Sequence, residues 1–100
     1  MPRVQVHFYA TLRSLLGQKT VEVDLPPRAT VRDLVHALVQ ARPELRAQLL
    51  RPDGSLEPSI HIFLNGRDYH YFPQGADMPI TEEGLKIDIF PPVGGGSSSV

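Results

Sequence analysis

The stretch that decides the fold is LKIDIF, residues 85–90, which is followed directly by Pro91-Pro92. Its apolar and polar side chains alternate with the two-residue period of a half-buried strand. The inward set is Leu85, Ile87 and Ile89, and the outward set is Lys86, Asp88 and Phe90. Each proline fixes its own backbone angle, so the chain is expected to leave this strand along a stiff, extended path.

Three earlier stretches alternate in the same way and predict further strands at residues 4–9, 20–25 and 60–64. The first two are expected to form a hairpin with a wide loop, in which residues 11–16 favour a helical turn that Gly17 ends. Asn65-Gly66 follows the third strand and is a strong hairpin-turn signal. Residues 67–84 read as a loop with one short strand near Tyr69–Tyr71.

The principal helix is predicted to begin after Thr30, a good N-cap, with Asp33 in the first turn where negative charge suits the helix dipole. Pro43 either ends this helix or starts a short second one that runs through Leu50. The order strand, strand, helix, strand, strand predicts an α+β domain with a mixed sheet of four to five strands. We expect the first and last strands to lie parallel and central, with the main helix on one face.

Composition limits the classes of function. A chain of 100 residues with 41% hydrophobic and 21% charged residues is typical of one soluble domain. The absence of cysteine excludes disulfides, thiolate metal sites and a cysteine nucleophile. A net charge of −1 gives no reason to expect nucleic acid or a membrane as partner. The sequence shows no export signal or membrane span, which favours the cytoplasm.

Four stretches together resemble one family. They are residues 6–13 with Gly17, residues 30–34, residues 63–68, and residues 89–93 followed by glycines. The first three are weakly specific singly, whereas a closing strand followed by Pro-Pro-Val-x-Gly-Gly is highly specific. From about Val4 to Gly96 the chain resembles the MoaD/ThiS-like, ubiquitin-like sulfur-carrier proteins. These include the small subunit of molybdopterin synthase and its relatives that carry sulfur for thiamin or cysteine synthesis.

The resemblance implies a β-grasp fold and a chemical role for the C-terminus. In this family an E1-like enzyme uses ATP to adenylate the carboxylate of the final glycine, which is then converted to a thiocarboxylate. The implied partners are that adenylating enzyme and the large subunit of molybdopterin synthase, or another sulfur acceptor. The chain is therefore expected to be a carrier rather than an enzyme, binding no cofactor itself, while its partner consumes the ATP.

The tail is the predicted site of this chemistry, beyond a β-grasp domain at residues 4–93. Gly96 is expected to carry the thiocarboxylate, with Gly95 and Gly94 as a slender approach that has no Cβ to collide with a narrow channel. An extended path from Pro92 to Gly96 reaches roughly 13 Å. The predicted partner-binding residues are Phe90, Pro91, Pro92, Val93, Tyr9, Phe63, Arg13 and Arg67.

Residues 97–100 extend beyond the predicted acyl carrier. Because an activating enzyme that reads a terminal diglycine needs these four residues removed, we expect a protease to cut after Gly96, such as the zinc metalloproteases that trim some family members. The alternative is that residues 94–100 are an idle flexible Gly/Ser tail.

Each of the other candidate residues has two interpretations, one functional and one structural. Tyr9, Phe63 and Phe90 all fall on outward positions and either mark a partner site or are partly covered by the loop after Arg67. Arg13 and Arg67 either contact an acidic partner or are ordinary surface arginines. His7 and His61 also point outward, and without a third ligand at a fixed local spacing we expect two solvated histidines and no metal site.

The sequence thus predicts a sulfur carrier, with molybdopterin synthesis as its pathway and cysteine or thiamin synthesis as alternatives. A protein modifier that forms isopeptide bonds through Gly96 is a rival from another class. A plain binding module with an idle tail is a third.

Overall fold

The computed structural model describes residues 3–80 and 84–92, which form a mixed five-stranded sheet packed against helices. The strands are β1 Arg3–Phe8, β2 Thr20–Asp24, β3 His61–Leu64, β4 Arg67–Asp68 and β5 Lys86–Phe90. The helices are α1 Ala10–Leu16, α2 Val31–Ala41 and α3 Arg46–Leu49, with 3-10 helices at Pro43–Leu45, Tyr69–Tyr71 and Gly75–Asp77. Val93 and the predicted tail, residues 94–100, lie outside the described residues.

The centre of the sheet is β5, the strand predicted from residues 85–90. The strand order is β2-β1-β5-β3-β4, so β5 lies between β1, to which it runs parallel, and β3, to which it runs antiparallel. Ile87 and Ile89 of β5 are fully buried. The prediction that the first and last strands lie parallel and central is confirmed.

Helix α2 covers the inner face of the sheet. Its start is fixed by a capping box, in which the Thr30 hydroxyl accepts a hydrogen bond from the Asp33 backbone and the Asp33 carboxylate accepts one from the Thr30 backbone. The buried side of α2 consists of Val31, Leu34, Val35, Leu38 and Val39. The short segment from Pro43 to Leu49 then buries Leu45 and Leu49, as the helical spacing predicts.

The hairpin between β3 and β4 turns at Asn65-Gly66. The backbone φ angles there are 50° and 88°, and a two-residue turn that matches the strand twist needs positive φ at both positions. This turn sets Phe63 opposite Asp68. The hairpin predicted from the Asn-Gly dipeptide is confirmed.

The short strand predicted near Tyr69–Tyr71 is wrong in position. The strand is β4, Arg67–Asp68, and Tyr69–Tyr71 forms a 3-10 helix instead. The physical reason is local, because the Asp68 carboxylate accepts a hydrogen bond from the His70 backbone at 2.9 Å and caps this helix. The chain therefore turns away from the sheet at Asp68.

Helix α2, lying across a mixed sheet with parallel central strands, makes this a β-grasp fold, as the resemblance implied. Within the described ranges, no helix has both the length and the apolar character needed to cross a bilayer.

Candidate functional site

Three aromatic side chains meet on the outer face of the sheet, and we call Tyr9, Phe63 and Phe90 the aromatic platform. The rings of Tyr9 and Phe90 are stacked, with centroids 4.3 Å apart and planes within 8° of parallel. The ring of Phe63 meets Phe90 edge to face, at 5.5 Å and 77°. All three residues are half-buried. The face is therefore ordered by ring contacts while part of each ring stays open to solvent.

The sheet register explains why residues from three distant parts of the sequence meet here. Phe8 lies opposite Ile89 in the parallel pairing of β1 with β5, so the next residue, Tyr9, comes beside Phe90. Phe63 lies opposite Asp88 and is two residues from His61, which lies opposite Phe90. Strand alternation then puts Phe63 and Phe90 on the same face.

Asp88 holds Tyr9 in place. The Tyr9 hydroxyl donates a hydrogen bond to Asp88 Oδ1 at 2.8 Å, and Asp88 is only 8% exposed. This hydrogen bond, with smaller contributions from burial and from the negative charge of Asp88, raises the pKa of Tyr9 above its ordinary value. Lys86 Nζ lies 4.0 Å from the same carboxylate but is largely exposed, so the tyrosine is the main partner of Asp88.

This contact predicts how Tyr9 ionises. Because the folded state raises the pKa of Tyr9, the contact stabilises the fold below the pKa of an unfolded tyrosine, near 10, and this contribution is lost as the pH rises above it. We expect Tyr9 to form tyrosinate at a higher pH than a free tyrosine does. The measurement is the absorbance change of tyrosinate formation, taken as the difference between wild type and Tyr9→Phe. In Asp88→Asn it should move to lower pH, and an unchanged midpoint would contradict the assigned role of Asp88.

A shallow groove lies beside the aromatic platform, at the place where the chain leaves β5. It has a volume of about 240 Å³ and is lined by His61, Phe63, Phe90 and Pro91. Pro91 is half-buried and Pro92 is exposed, so the chain emerges to the surface from this groove. Val93, Gly94, Gly95 and Gly96 lie outside the described residues.

The two predicted arginines are not joined to the platform. Arg13 is exposed on α1, and Arg67 is exposed on β4 with its guanidinium carbon 5.1 Å from the centroid of the Phe72 ring. Within residues 3–80 and 84–92, neither makes a hydrogen bond, ion pair or ring contact with the aromatic platform. Their predicted contact with an acidic partner stays a prediction.

The loop after Arg67 leaves the platform partly open. Its side chains Phe72, Ala76 and Met78 pack against the hydrophobic core. The outward aromatic positions found by alternation therefore do form one partly exposed surface.

Sequence reasoning missed a second cluster, made of His61, Asp68 and His70. His61 Nδ1 lies 3.1 Å from Asp68 Oδ2, and His70 Nδ1 lies 2.7 Å from Asp68 Oδ1. Burial acts to raise the pKa of Asp68, but hydrogen bonds from the His70 backbone and from both imidazoles together outweigh it and hold that pKa below its ordinary value.

The two histidines expected to be solvated are each partly covered and paired with a neighbouring side chain. His61 is half-buried against Asp68, and His7 is half-buried with Nδ1 3.0 Å from Thr20 Oγ1. Counting across the Asn65-Gly66 turn was the signal that could have found the cluster, since it puts Asp68 on the face of Phe63 and His61.

Known proteins are similar to this chain over nearly its whole length. The ThiS family model matches residues 6–96. Small archaeal modifier protein 1 of Haloferax volcanii is 36% identical over 88% of this chain and 94% of its own length, and its crystal structure superimposes with a TM-score of 0.81, at 30% identity over 93% of this chain and 100% of that one.

Two further relatives are similar over most of their length. A putative sulfur carrier protein of Archaeoglobus fulgidus is 33% identical over 85% of this chain and 93% of its own. The structure of a putative molybdopterin converting factor, subunit 1, from Pyrococcus furiosus has a TM-score of 0.72, at 25% identity over 93% of this chain and 100% of that one. With its β-grasp sheet and its match to the family model over nearly the whole chain, this protein belongs to the ThiS family of ubiquitin-like sulfur carriers.

Proposed function

We propose that this protein carries sulfur as a thiocarboxylate on Gly96 and donates it in molybdopterin synthesis. The observation that carries the proposal is the end of β5. This central strand ends in Phe90, the middle ring of the aromatic platform, and in the sequence Pro91, Pro92 and Val93 connect that ring to the glycines. A partner that binds the platform would therefore contact the strand from which the tail continues.

The chemistry needs only the main-chain carboxylate from this protein. A carboxylate oxygen of Gly96 attacks the α-phosphate of ATP in the partner enzyme, which forms an acyl adenylate and releases pyrophosphate. A sulfide equivalent then attacks the acyl carbon and AMP leaves with the bonding electron pair, so one oxygen is replaced by sulfur. The glycine side chains matter by their absence, since they leave the backbone narrow enough to enter a closed active site.

The aromatic platform supplies the docking area. Aromatic side chains dominate the binding energy of many interfaces because they bury a large apolar surface with few rotatable bonds. The groove of about 240 Å³ between His61, Phe63, Phe90 and Pro91 offers a partner side chain a place to insert. We assign this face to the E1-like activating enzyme and to the sulfur acceptor in turn.

Molybdopterin synthesis is the pathway we favour, with cysteine or thiamin synthesis as alternatives. The support is the family motif and the name of the Pyrococcus furiosus relative, a putative molybdopterin converting factor subunit. The acceptor in that case is the large subunit of molybdopterin synthase. A mixture of candidate acceptors, incubated with the loaded carrier, should discharge it only when the cognate acceptor is present.

The test of sulfur loading uses a chain that ends at Gly96. Incubated with the activating enzyme from its own cell, ATP and sulfide, it should gain about 16 mass units, the difference between sulfur and oxygen. The matched control is the full chain, in which four further residues separate Gly96 from the carboxylate and no gain is expected without a protease. If the shortened chain releases no pyrophosphate and gains no mass, the proposal is wrong.

A protein modifier is the second candidate, and the names of relatives favour it. Small archaeal modifier proteins 1 and 3 of Haloferax volcanii are both similar to this chain over most of its length. In this case the acyl group of Gly96 is transferred in the end to a lysine amine of a target protein, which forms an isopeptide bond, and the AMP of the acyl adenylate is released. An antibody against the chain would then reveal a ladder of conjugates in its own cells, whereas a carrier alone would remain a single species.

We also propose that residues 97–100 are removed before loading, by a zinc metalloprotease that cuts after Gly96. The support is the position of the glycine pair relative to the family motif. Intact-mass measurement on protein from its native cells should find a chain ending at Gly96. A sulfur-bearing chain of full length would contradict this step.

A further inference from the structure

The cluster of His61, Asp68 and His70 has the ligand set of a metal site. Each residue offers one ligand atom, and these atoms all lie within 4.8 Å of one another. The cluster uses no residue of the tail or of the aromatic platform. The cluster shares His61 with the groove beside the platform, and an inference about it is tested by metal binding, which needs neither the tail nor the activating enzyme.

The fold brings these three residues together through strand register. Phe63 lies opposite Asp68 in the hairpin, and His61 lies two residues from Phe63 on the same face. The 3-10 helix that Asp68 caps then returns His70 to the same carboxylate. One imidazole thus approaches the carboxylate from β3 and the other from the 3-10 helix after β4. This short connection limits the conformational freedom that a bound ion must restrict.

The chemical nature of the ligands selects the cation. Two imidazole nitrogens and one carboxylate oxygen suit Zn²⁺ and its first-row neighbours, whereas Mg²⁺ and Ca²⁺ take mainly oxygen ligands. Zinc in a four-coordinate site with three protein ligands keeps one position open for water. The sequence offers no cysteine, so the site differs from an all-sulfur structural zinc site.

The electrostatics also favour a cation. Asp68 is only 7% exposed, and among the described residues no lysine or arginine lies within ion-pair distance of its carboxylate. Its hydrogen-bond partners are the two imidazoles and the backbone N–H of His70, none of which carries a permanent charge. These hydrogen bonds stabilise the ionised carboxylate, and a divalent ion would supply the permanent counter-charge that it lacks.

Access and geometry are compatible with binding. The His61 and His70 side chains are 39% and 38% exposed, so an ion reaches them from solvent and the rings have room to rotate. Ligand atoms at about 2.0–2.1 Å from zinc lie about 3.4 Å apart in a tetrahedral site. Starting from separations no greater than 4.8 Å, the ligand atoms need to move by at most about 1.4 Å.

We propose that His61, Asp68 and His70 bind one Zn²⁺ ion per chain, with water in the fourth position of the free protein. His61 also lines the groove next to Phe90 and Pro91, so the ion lies at the border of the surface from which the tail leaves. A bound ion would hold β3 against β4 and against the 3-10 helix that follows β4.

The test measures zinc binding to the untagged full chain by calorimetry. We expect one site, and we expect His61→Gln and His70→Gln each to weaken binding by more than about 100-fold, above the range of roughly 10- to 100-fold that the loss of an outer partner of a ligand costs. The matched control is His36→Gln, which removes an exposed histidine of α2 outside the cluster. Circular dichroism confirms that each variant is folded.

Two further measurements separate a site from loose adsorption. Cobalt(II) bound in place of zinc should give the visible absorption of a near-tetrahedral ion, and His70→Gln should lose it. Zinc at a hundredfold excess over its dissociation constant should raise the thermal midpoint by about 10 °C or more in wild type. Absence of zinc binding at millimolar concentration, or equal weakening by His36→Gln and His70→Gln, would overturn the proposal.

Discussion

A chain that ends at residue 96 and carries Gly96→Val is expected to load sulfur at least about 100-fold more slowly than the same chain with glycine, since a misplacement of about 1 Å at a reacting centre costs that much. Valine puts a branched Cβ directly beside the carboxylate that must reach the α-phosphate of ATP. The glycine places only hydrogen there. The measurement is pyrophosphate release by the activating enzyme, followed by mass spectrometry for the thiocarboxylate.

The control for this variant is Gln74→Val in the same shortened chain. Gln74 is exposed in the loop between β4 and β5, so it takes the same new side chain outside the tail and outside the aromatic platform. Its loading should equal that of the parent chain. Normal loading of Gly96→Val would show that the partner's active site accepts a side chain at this position. It would contradict the proposal that glycine is needed there for steric reasons.

The second large effect is expected from Phe90→Ala in the chain ending at Gly96. The change removes the ring that stacks on Tyr9 at 4.3 Å and receives the edge of Phe63. Central aromatic residues of interfaces typically contribute 2 kcal/mol or more to binding, so we expect kcat/KM for adenylation to fall by about 30-fold or more. Most of the change should lie in KM for the carrier, because the role proposed for Phe90 is to bind the partner and not to take part in the chemistry.

Tyr71→Ala is the matched control for this variant. Tyr71 is 74% exposed and lies outside the aromatic platform, so its loss removes a similar aromatic side chain from another surface. Thermal unfolding of both variants separates a lost docking surface from a damaged fold. An adenylation rate that falls as much in Tyr71→Ala as in Phe90→Ala would argue against the platform as the docking surface.

Much of the fold follows from periodicity and turn chemistry alone. Two-residue alternation in residues 85–90 identified both the central strand and its buried side, and Ile87 and Ile89 are fully buried as expected. Thr30 and Asp33 marked the start of α2 because a capping box is a local device with a local signature. Asn65-Gly66 fixed the hairpin for the same reason.

The errors arose where a side chain competes with the backbone. Tyr69–Tyr71 has strand-forming tyrosines, but the carboxylate of Asp68 captures the next free backbone N–H and winds the segment into a 3-10 helix. Strand propensity does not record such a competition between neighbours.

The candidate site was predictable in its apolar part and not in its polar part. The alternation of apolar and polar residues assigned Phe63 and Phe90 to the outward face, because this pattern can be read within a single strand. The partners of Asp88 and Asp68 depend on register between strands that are far apart in sequence, such as Tyr9 beside β5. Alternation assigns Asp88 to the outward face but does not indicate that the residue is buried there.

The place of β5 between β1 and β3 has a consequence for how the protein is made. β5 follows the other four strands in the chain, yet the sheet has no continuous middle until β5 is inserted between two of them. Pairing of β1 with β5 closes a long chain segment, a step that is slow compared with local hairpin formation. During synthesis on the ribosome, the edges of β1 and β3 therefore stay unpaired until β5 has been made. Chaperones can protect these edges in that interval. The same late insertion of β5 positions Pro91. An unfinished or misfolded molecule therefore lacks the ordered end of β5 that an activating enzyme would need to bind next to the tail.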